Sequence, residues 1–215
     1  NKVYLFSKDS NTPLWSYSLP MDGSDVDSVA ISADGEYIAA GSYDDKVYLF
    51  DKDSSTPVWV AGPYGTIPLS VAISADGEYI AMGNTGNWLY LYNRNSSSHL
   101  WYYDTYGDVS SISMSTDGEY IVAGTTANKV HLFDKDSNTP LWTYTTGGDV
   151  KSVSISADGE YITAGSVDNK VYLFGKDSST PLWTYSTGGN VDEVAISADG
   201  DYITAGSESG DNKIY

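Results

Sequence analysis

The chain has 215 residues, 40% of them hydrophobic, with 21 Gly, 7 Pro and no Cys. That is enough for one large domain or two small ones and excludes a disulfide-stapled miniprotein. Lys and Arg total 11 against 29 Asp and Glu, a formal net charge of −18, and such a field repels the phosphates a nucleic-acid binder must neutralise. No stretch approaches the roughly 18 apolar residues of a spanning helix, and no basic start followed by an apolar run opens the sequence, so no membrane insertion is expected.

The predicted elements follow a fixed period. The segment Ala-Asp-Gly-Glu-Tyr-Ile, or a close variant, places its Asp at Asp34, Asp76, Asp117, Asp158 and Asp199, with spacings of 42, 41, 41 and 41. Trp15, Trp59, Trp101, Trp142 and Trp183 step by 44, 42, 41 and 41, which puts insertions early, around Pro20–Ser24 and Pro63–Pro68. In chain order the sequence opens with strands at Val3–Phe6 and Leu14–Tyr17. The pattern then recurs, and its clearest copy has strands at Val130–Phe133 and Leu141–Tyr144 followed by a hairpin of Val150–Ser156 and Tyr161–Gly165. Apolar residues alternate at period two, and Asp-Gly between β-rich runs marks a tight hairpin, because Gly accepts the positive φ of the turn. Four short strands per 41 to 44 residues is the arithmetic of a propeller blade. Residues 1–215 are therefore predicted to be a single all-β propeller domain of five repeats.

The string Val150 to Phe174 resembles a WD repeat across three inner strands: Ser-Ala-Asp-Gly stands for Ser-Pro-Asp-Gly, and Gly165-Ser166-Val167-Asp168 matches the strand end. The Gly-His pair of that family is missing, and its closing Trp-Asp survives only as Phe50-Asp51 and Phe133-Asp134. The strand Thr-Pro-Leu-Trp-Thr-Tyr is similar to quinoprotein-type repeats instead. The resemblance implies a propeller hybrid of prokaryotic type, found attached to large surface proteins, and so an extracellular or cell-surface location. The first and last strands are of the same type, and the expected closure is a five-bladed ring whose composite blade joins Val3–Phe6 and Leu14–Tyr17 to Val191–Ser197 and Tyr202–Gly206. The alternative is a fragment of a larger propeller.

Residues repeated around a ring serve the ring, so the recurring Trp residues are expected to pack between blades and the recurring Asp/Glu pairs to build turns. Trp88, standing where other repeats have Lys46, Lys129 or Lys170, is expected at the surface. The loops Asp51-Lys-Asp53 and Asp134-Lys-Asp136 begin like a calcium loop, but no bidentate Glu follows, and capped polar turns are expected there. His99 and His131 are the only histidines, without Cys to complement them, so no catalytic residue, metal site or cofactor is predicted. A quinone site needs a basic cluster, and Lys151 is the only cation at the start of an inner strand. Breaks in the repeat carry the functional expectation: Met21, Asp22, Tyr64, Tyr103, Asp104 and Tyr106 form an interaction rim on loops entering the innermost strands. The sequence thus predicts a non-catalytic scaffold for a protein partner, with a glycan as the alternative ligand, a quinone-dependent oxidoreductase as the least favoured reading, and assembly with other domains or copies left open.

Overall fold

A computed structural model of the chain describes residues 1–21, 25–62 and 65–208. Among the described residues every regular element is a strand, as the alternating β-branched and aromatic runs dictate. A hairpin of β1 (Lys2–Phe6) and β2 (Pro13–Ser18) comes first. Four antiparallel blades follow: β3 (Val26–Ile31), β4 (Tyr37–Ser42), β5 (Lys46–Asp51) and β6 (Trp59–Ala61); β7 (Pro68–Ile73), β8 (Tyr79–Asn84), β9 (Trp88–Asn93) and β10 (His99–Asp104); β11 (Val109–Met114), β12 (Tyr120–Thr125), β13 (Lys129–Asp134) and β14 (Trp142–Thr145); and β15 (Val150–Ile155), β16 (Tyr161–Ser166), β17 (Lys170–Gly175) and β18 (Trp183–Ser186). A second hairpin, β19 (Val191–Ile196) with β20 (Ile203–Ser207), ends the series.

The inner strands β3, β7, β11, β15 and β19 lie side by side in chain order. Each is an edge strand with unpaired N–H groups, and in β7, β11, β15 and β19 a hydroxyl of the preceding inner strand satisfies one of them. The N–H groups of Val71, Ile112, Val153 and Val194 donate to the Oγ atoms of Ser28, Ser70, Ser111 and Ser152 at 3.0, 3.0, 3.1 and 3.1 Å. Close approach of adjacent blades needs glycine on the second strand: a Cβ on Gly83 would fall 2.3 Å from Val109, and one on Gly165 would fall 2.6 Å from Val191.

The core is a series of layers between blades, each built from both neighbours. Val122, Val130 and Leu132 of one blade meet Val153, Ile162 and Phe174 of the next, all buried. Trp15, Trp59, Trp101 and Trp142 reach across with the indole N–H, donating to the carbonyls of Lys52, Arg94, Lys135 and Lys176 at 2.8, 2.8, 2.6 and 2.7 Å. The recurring Trp is therefore inter-blade packing, as expected. Among the described residues the composite closing blade is not formed: β1–β2 and β19–β20 are separate two-stranded sheets. Their faces stay open, so Phe6 is 53% exposed where Phe50, Phe133 and Phe174 are fully buried, and Trp183 is 41% exposed beside Tyr185 and Tyr202.

Each hairpin turn is held the same way. Asp158 accepts from Ser156 Oγ–H at 2.6 Å and from the N–H of Glu160 at 3.0 Å, while Ser156 Oγ accepts from the N–H of Tyr161 at 3.0 Å. These bonds hold the Asp158 carboxyl below the usual carboxylate range, and the same Ser and backbone contacts lower Asp34 and Asp199. Successive turns are linked by backbone bonds, Ala33 N–H to Ala75 O, Ala75 N–H to Thr116 O, Thr116 N–H to Ala157 O and Ala157 N–H to Ala198 O, at 3.0, 3.0, 2.9 and 2.9 Å. This explains the departure from Ser-Pro-Asp-Gly: proline has no N–H to donate.

Candidate functional site

The loops from β2 to β3 and from β10 to β11 occupy the same place in their repeats, each leading into an inner strand. Met21 is 57% exposed on the first of them. Asp22 and Tyr64 lie outside the described residues. Tyr106, on the β10–β11 loop, is 72% exposed and sits at φ 60°, in the left-handed region. The equivalent positions are Gly147 and Gly188. The frame around it is the common one: Thr105 Oγ–H donates to Asn87 O and Gly107 O at 2.8 and 2.7 Å, as Thr146 does to Asn128 O and Gly148 O at 2.9 and 2.6 Å. Asp104 accepts the N–H of Tyr106 at 2.9 Å, and the Lys129 ammonium lies 5.8 Å from the Tyr106 ring.

Tyr103 does not belong to this rim. It lies in β10 with its ring 5.1 Å from Phe133 and 5.6 Å from His131, packed against the next blade as Tyr144 is against Phe174 and Tyr172. Asp104 is likewise the last residue of a strand, not mid-loop. The alignment of Leu-Trp-Tyr-Tyr-Asp with Leu-Trp-Thr-Tyr-Thr carried that signal: the second residue after Trp faces the neighbouring blade in both.

Sequence reasoning also missed a cluster on β9 and β10. Trp88 is half-buried inside β9, not free at the surface, and its ring lies 5.4 Å from that of Tyr102. Tyr90 lies 5.9 Å from Tyr102 and 5.5 Å from His99, and His99 lies 5.2 Å from Tyr102. Three of these residues are unique to this blade. Other repeats have Lys where Trp88 stands, Pro where His99 stands, and Ser, Val or Thr where Tyr102 stands.

The remaining polar groups are structural. Asp51 and Asp134 accept the N–H of Asp53 and Asp136 at 2.8 Å, the capped turns expected. Carboxylates of Glu119, Asp134 and Asp136 approach one another, and Lys135 bridges two of them at 3.2 and 2.9 Å from Glu119 and Asp136. His131 is buried, bonded through Nδ1 to Thr143 Oγ1 at 2.9 Å, with Nε2 lacking a partner; burial, and then the charge of Lys129, push its imidazole down to about 4. Where two other blades put Tyr48 and Tyr172, donating to the buried carboxylate of Asp44 and the half-buried one of Asp168, this blade has His131, with Ala127 at the position of the aspartate. The equivalent inner-strand positions Asp27, Leu69, Ser110, Lys151 and Asp192 offer one cation and two acids, a set that does not fit an anionic quinone.

This architecture defines a β-propeller of four-stranded blades. A family model described as outer membrane protein assembly factor BamB matches residues 85–212, more than half of the sequence, and the chain belongs to that family of propeller repeats. A second family model, WD domain, G-beta repeat, matches residues 12–51, so the hybrid read from the residues holds. Among solved structures, a chain in the crystal structure of a mitotic checkpoint complex is similar with a TM-score of 0.86 at 18% identity. The match covers 99% of this chain and 66% of that chain, and at this identity it carries the fold alone. No curated protein matches. Among the described residues no helix is long and apolar enough to cross a membrane.

Proposed function

We propose that the chain is a non-catalytic propeller scaffold that binds a protein partner through its rim. The observation that carries this is Tyr106. A tyrosine at φ 60° costs on the order of 1 kcal/mol or more, and the equivalent Gly147 and Gly188 do not take up the left-handed conformation at all. Keeping a large, exposed aromatic ring there favours a role in contact over a role in folding, since Tyr contributes contact area at low entropic cost. The similar chain from a mitotic checkpoint complex is itself part of a protein assembly, which supports the same reading. A cell-surface location accompanies it, consistent with a family described by an outer membrane assembly factor.

The test is Tyr106→Gly. The variant is expected to melt no lower than the parent, gaining up to about 1 kcal/mol as the strain is relieved. It should also lose capture of the protein partner that the parent retains from native extract. Undiminished capture by Tyr106→Gly with the β2–β3 loop also replaced by Thr-Gly-Gly would show that the rim is not the contact surface.

A further inference from the structure

We infer that the ring cluster of Trp88, Tyr90, His99 and Tyr102 is a second contact site, one that receives a cationic side chain, Arg or Lys, from a protein partner. The inference rests on the scaffold reading but uses a different surface from the rim.

The first observation is a gap in the inter-blade packing. Tyr17, Tyr103 and Tyr144 each reach across to the third strand of the next blade, with ring separations of 5.7 Å to Tyr48, 5.6 Å to His131 and 5.5 Å to Tyr172. In the remaining interface the residue at this position is Ala61, and it faces Tyr90. Tyr90 has as ring neighbours Tyr102 and His99 of its own blade, where its counterparts have a tyrosine of the blade before. Tyr102 is 48% exposed and His99 is also exposed, so the cluster opens to solvent.

The second observation concerns how this molecule treats its other tyrosines. Arg94 lies 4.8 Å over Tyr37, Lys176 lies 5.2 Å over Tyr120, Lys129 lies 5.8 Å over Tyr106 and Lys135 lies 6.0 Å over Tyr79. The negative face of an aromatic ring attracts a cation within about 6 Å of its centroid. Among the described residues no such contact is made to the four-ring cluster. The blade has exchanged the lysine of its siblings for Trp88, the best of the aromatic acceptors, so it has removed a cation and added a ring at the same position. With a net charge of −18 around it, the cluster is electrostatically matched to a basic segment.

The test is titration of the intact chain with an Arg-Gly repeat octapeptide at physiological salt, against Tyr102→Thr, the residue other repeats tolerate at this position. Tyr102→Thr should keep the parent melting temperature and bind the peptide about tenfold more weakly, in line with one lost cation–π contact. Tyr106→Gly should bind it unchanged. Equal binding by parent and Tyr102→Thr would reduce the interaction to general attraction by −18 charges and overturn the site, leaving the rim untouched. Absence of peptide binding, or binding of an uncharged oligosaccharide at the cluster in its place, would overturn it too. Loss of partner capture by Tyr106→Gly with normal peptide binding would still support both surfaces separately.

Discussion

At the residue scale, His131 converts burial into acid sensitivity. In the unfolded chain it titrates near 6.5, and in the fold its imidazole is pushed down to about 4, because a buried cation with an unpartnered Nε2 is unfavourable. A depressed folded-state value means the unfolded state takes up the proton first. This contribution is therefore fully present above pH 6.5 and is lost progressively as the pH falls toward 4. The expected loss is about 3 kcal/mol across that window. His131→Phe should flatten the stability profile between these limits, measured by urea unfolding at each pH. The turn aspartates, whose carboxyls are held low by their Ser partners, add a second loss below the ordinary carboxylate range in parent and variant alike. A slope that His131→Phe leaves unaltered would assign the upper window to other groups.

Residues also mark where the sequence was legible. Trp142 was readable as inter-blade packing because it recurs, and its ring sits 5.2 Å from Phe174 with its N–H bonded across the interface. Trp183 has the same sequence context and yet is 41% exposed. Its environment depends on what lies beside β20, a long-range fact that a local pattern does not hold. Trp88 and Tyr102 were misread for the opposite reason: each breaks the repeat, and a break shows that a position differs without showing what it touches.

At the element scale, the strands and hairpins followed from period two and from Asp-Gly: β13 extends a residue beyond its predicted bounds at each end, and β16 a residue at its C-terminal end alone. What the pattern concealed was the link between turns. Ala157 occupies the second position of its turn, where proline is conformationally welcome. Its N–H nevertheless donates to Ala198 O at 2.9 Å. Ala157→Pro should therefore cost about 1 kcal/mol net through the lost bond. Ala198, the last turn of the described series, receives such a bond and sends none onward among the described residues. Ala198→Pro should thus be neutral or stabilising by up to about 1 kcal/mol through reduced unfolded-state entropy. Thermal melts of the two variants side by side provide the comparison, and equal destabilisation would mean that ring strain, not the missing donor, sets the cost.

For the whole molecule, the charge of −18 works against compactness. Ion pairs such as Lys8–Asp9 and Lys52–Asp53 do little to offset it, since their carboxylate side chains are 74% and 79% accessible. Sodium chloride raised from low to moderate concentration should screen the repulsion and lift the melting temperature, about 2–4 °C for each kcal/mol recovered. A falling melting temperature would show that specific pairs, such as Lys176–Glu160, outweigh the repulsion. The all-β class and the four-stranded blade type were legible at this scale. Among the described residues the composite closing blade is not formed, because strand type fixes which edges are compatible but not whether they meet.

The backbone bonds from turn to turn run in one direction: each turn gives to the following repeat and takes from the one before. They amount to a nearest-neighbour rule, which prescribes the step between blades and is silent on their number. Nothing in the rule recognises a first or last member, since a backbone donor and a backbone carbonyl of the same turn position recur at each of these junctions, with Ala at all but Thr116. Duplication of a single period is then the smallest evolutionary change that keeps every junction intact. It also leaves the side chains of any one copy free to differ, as those of the blade carrying Trp88, His99 and Tyr102 do.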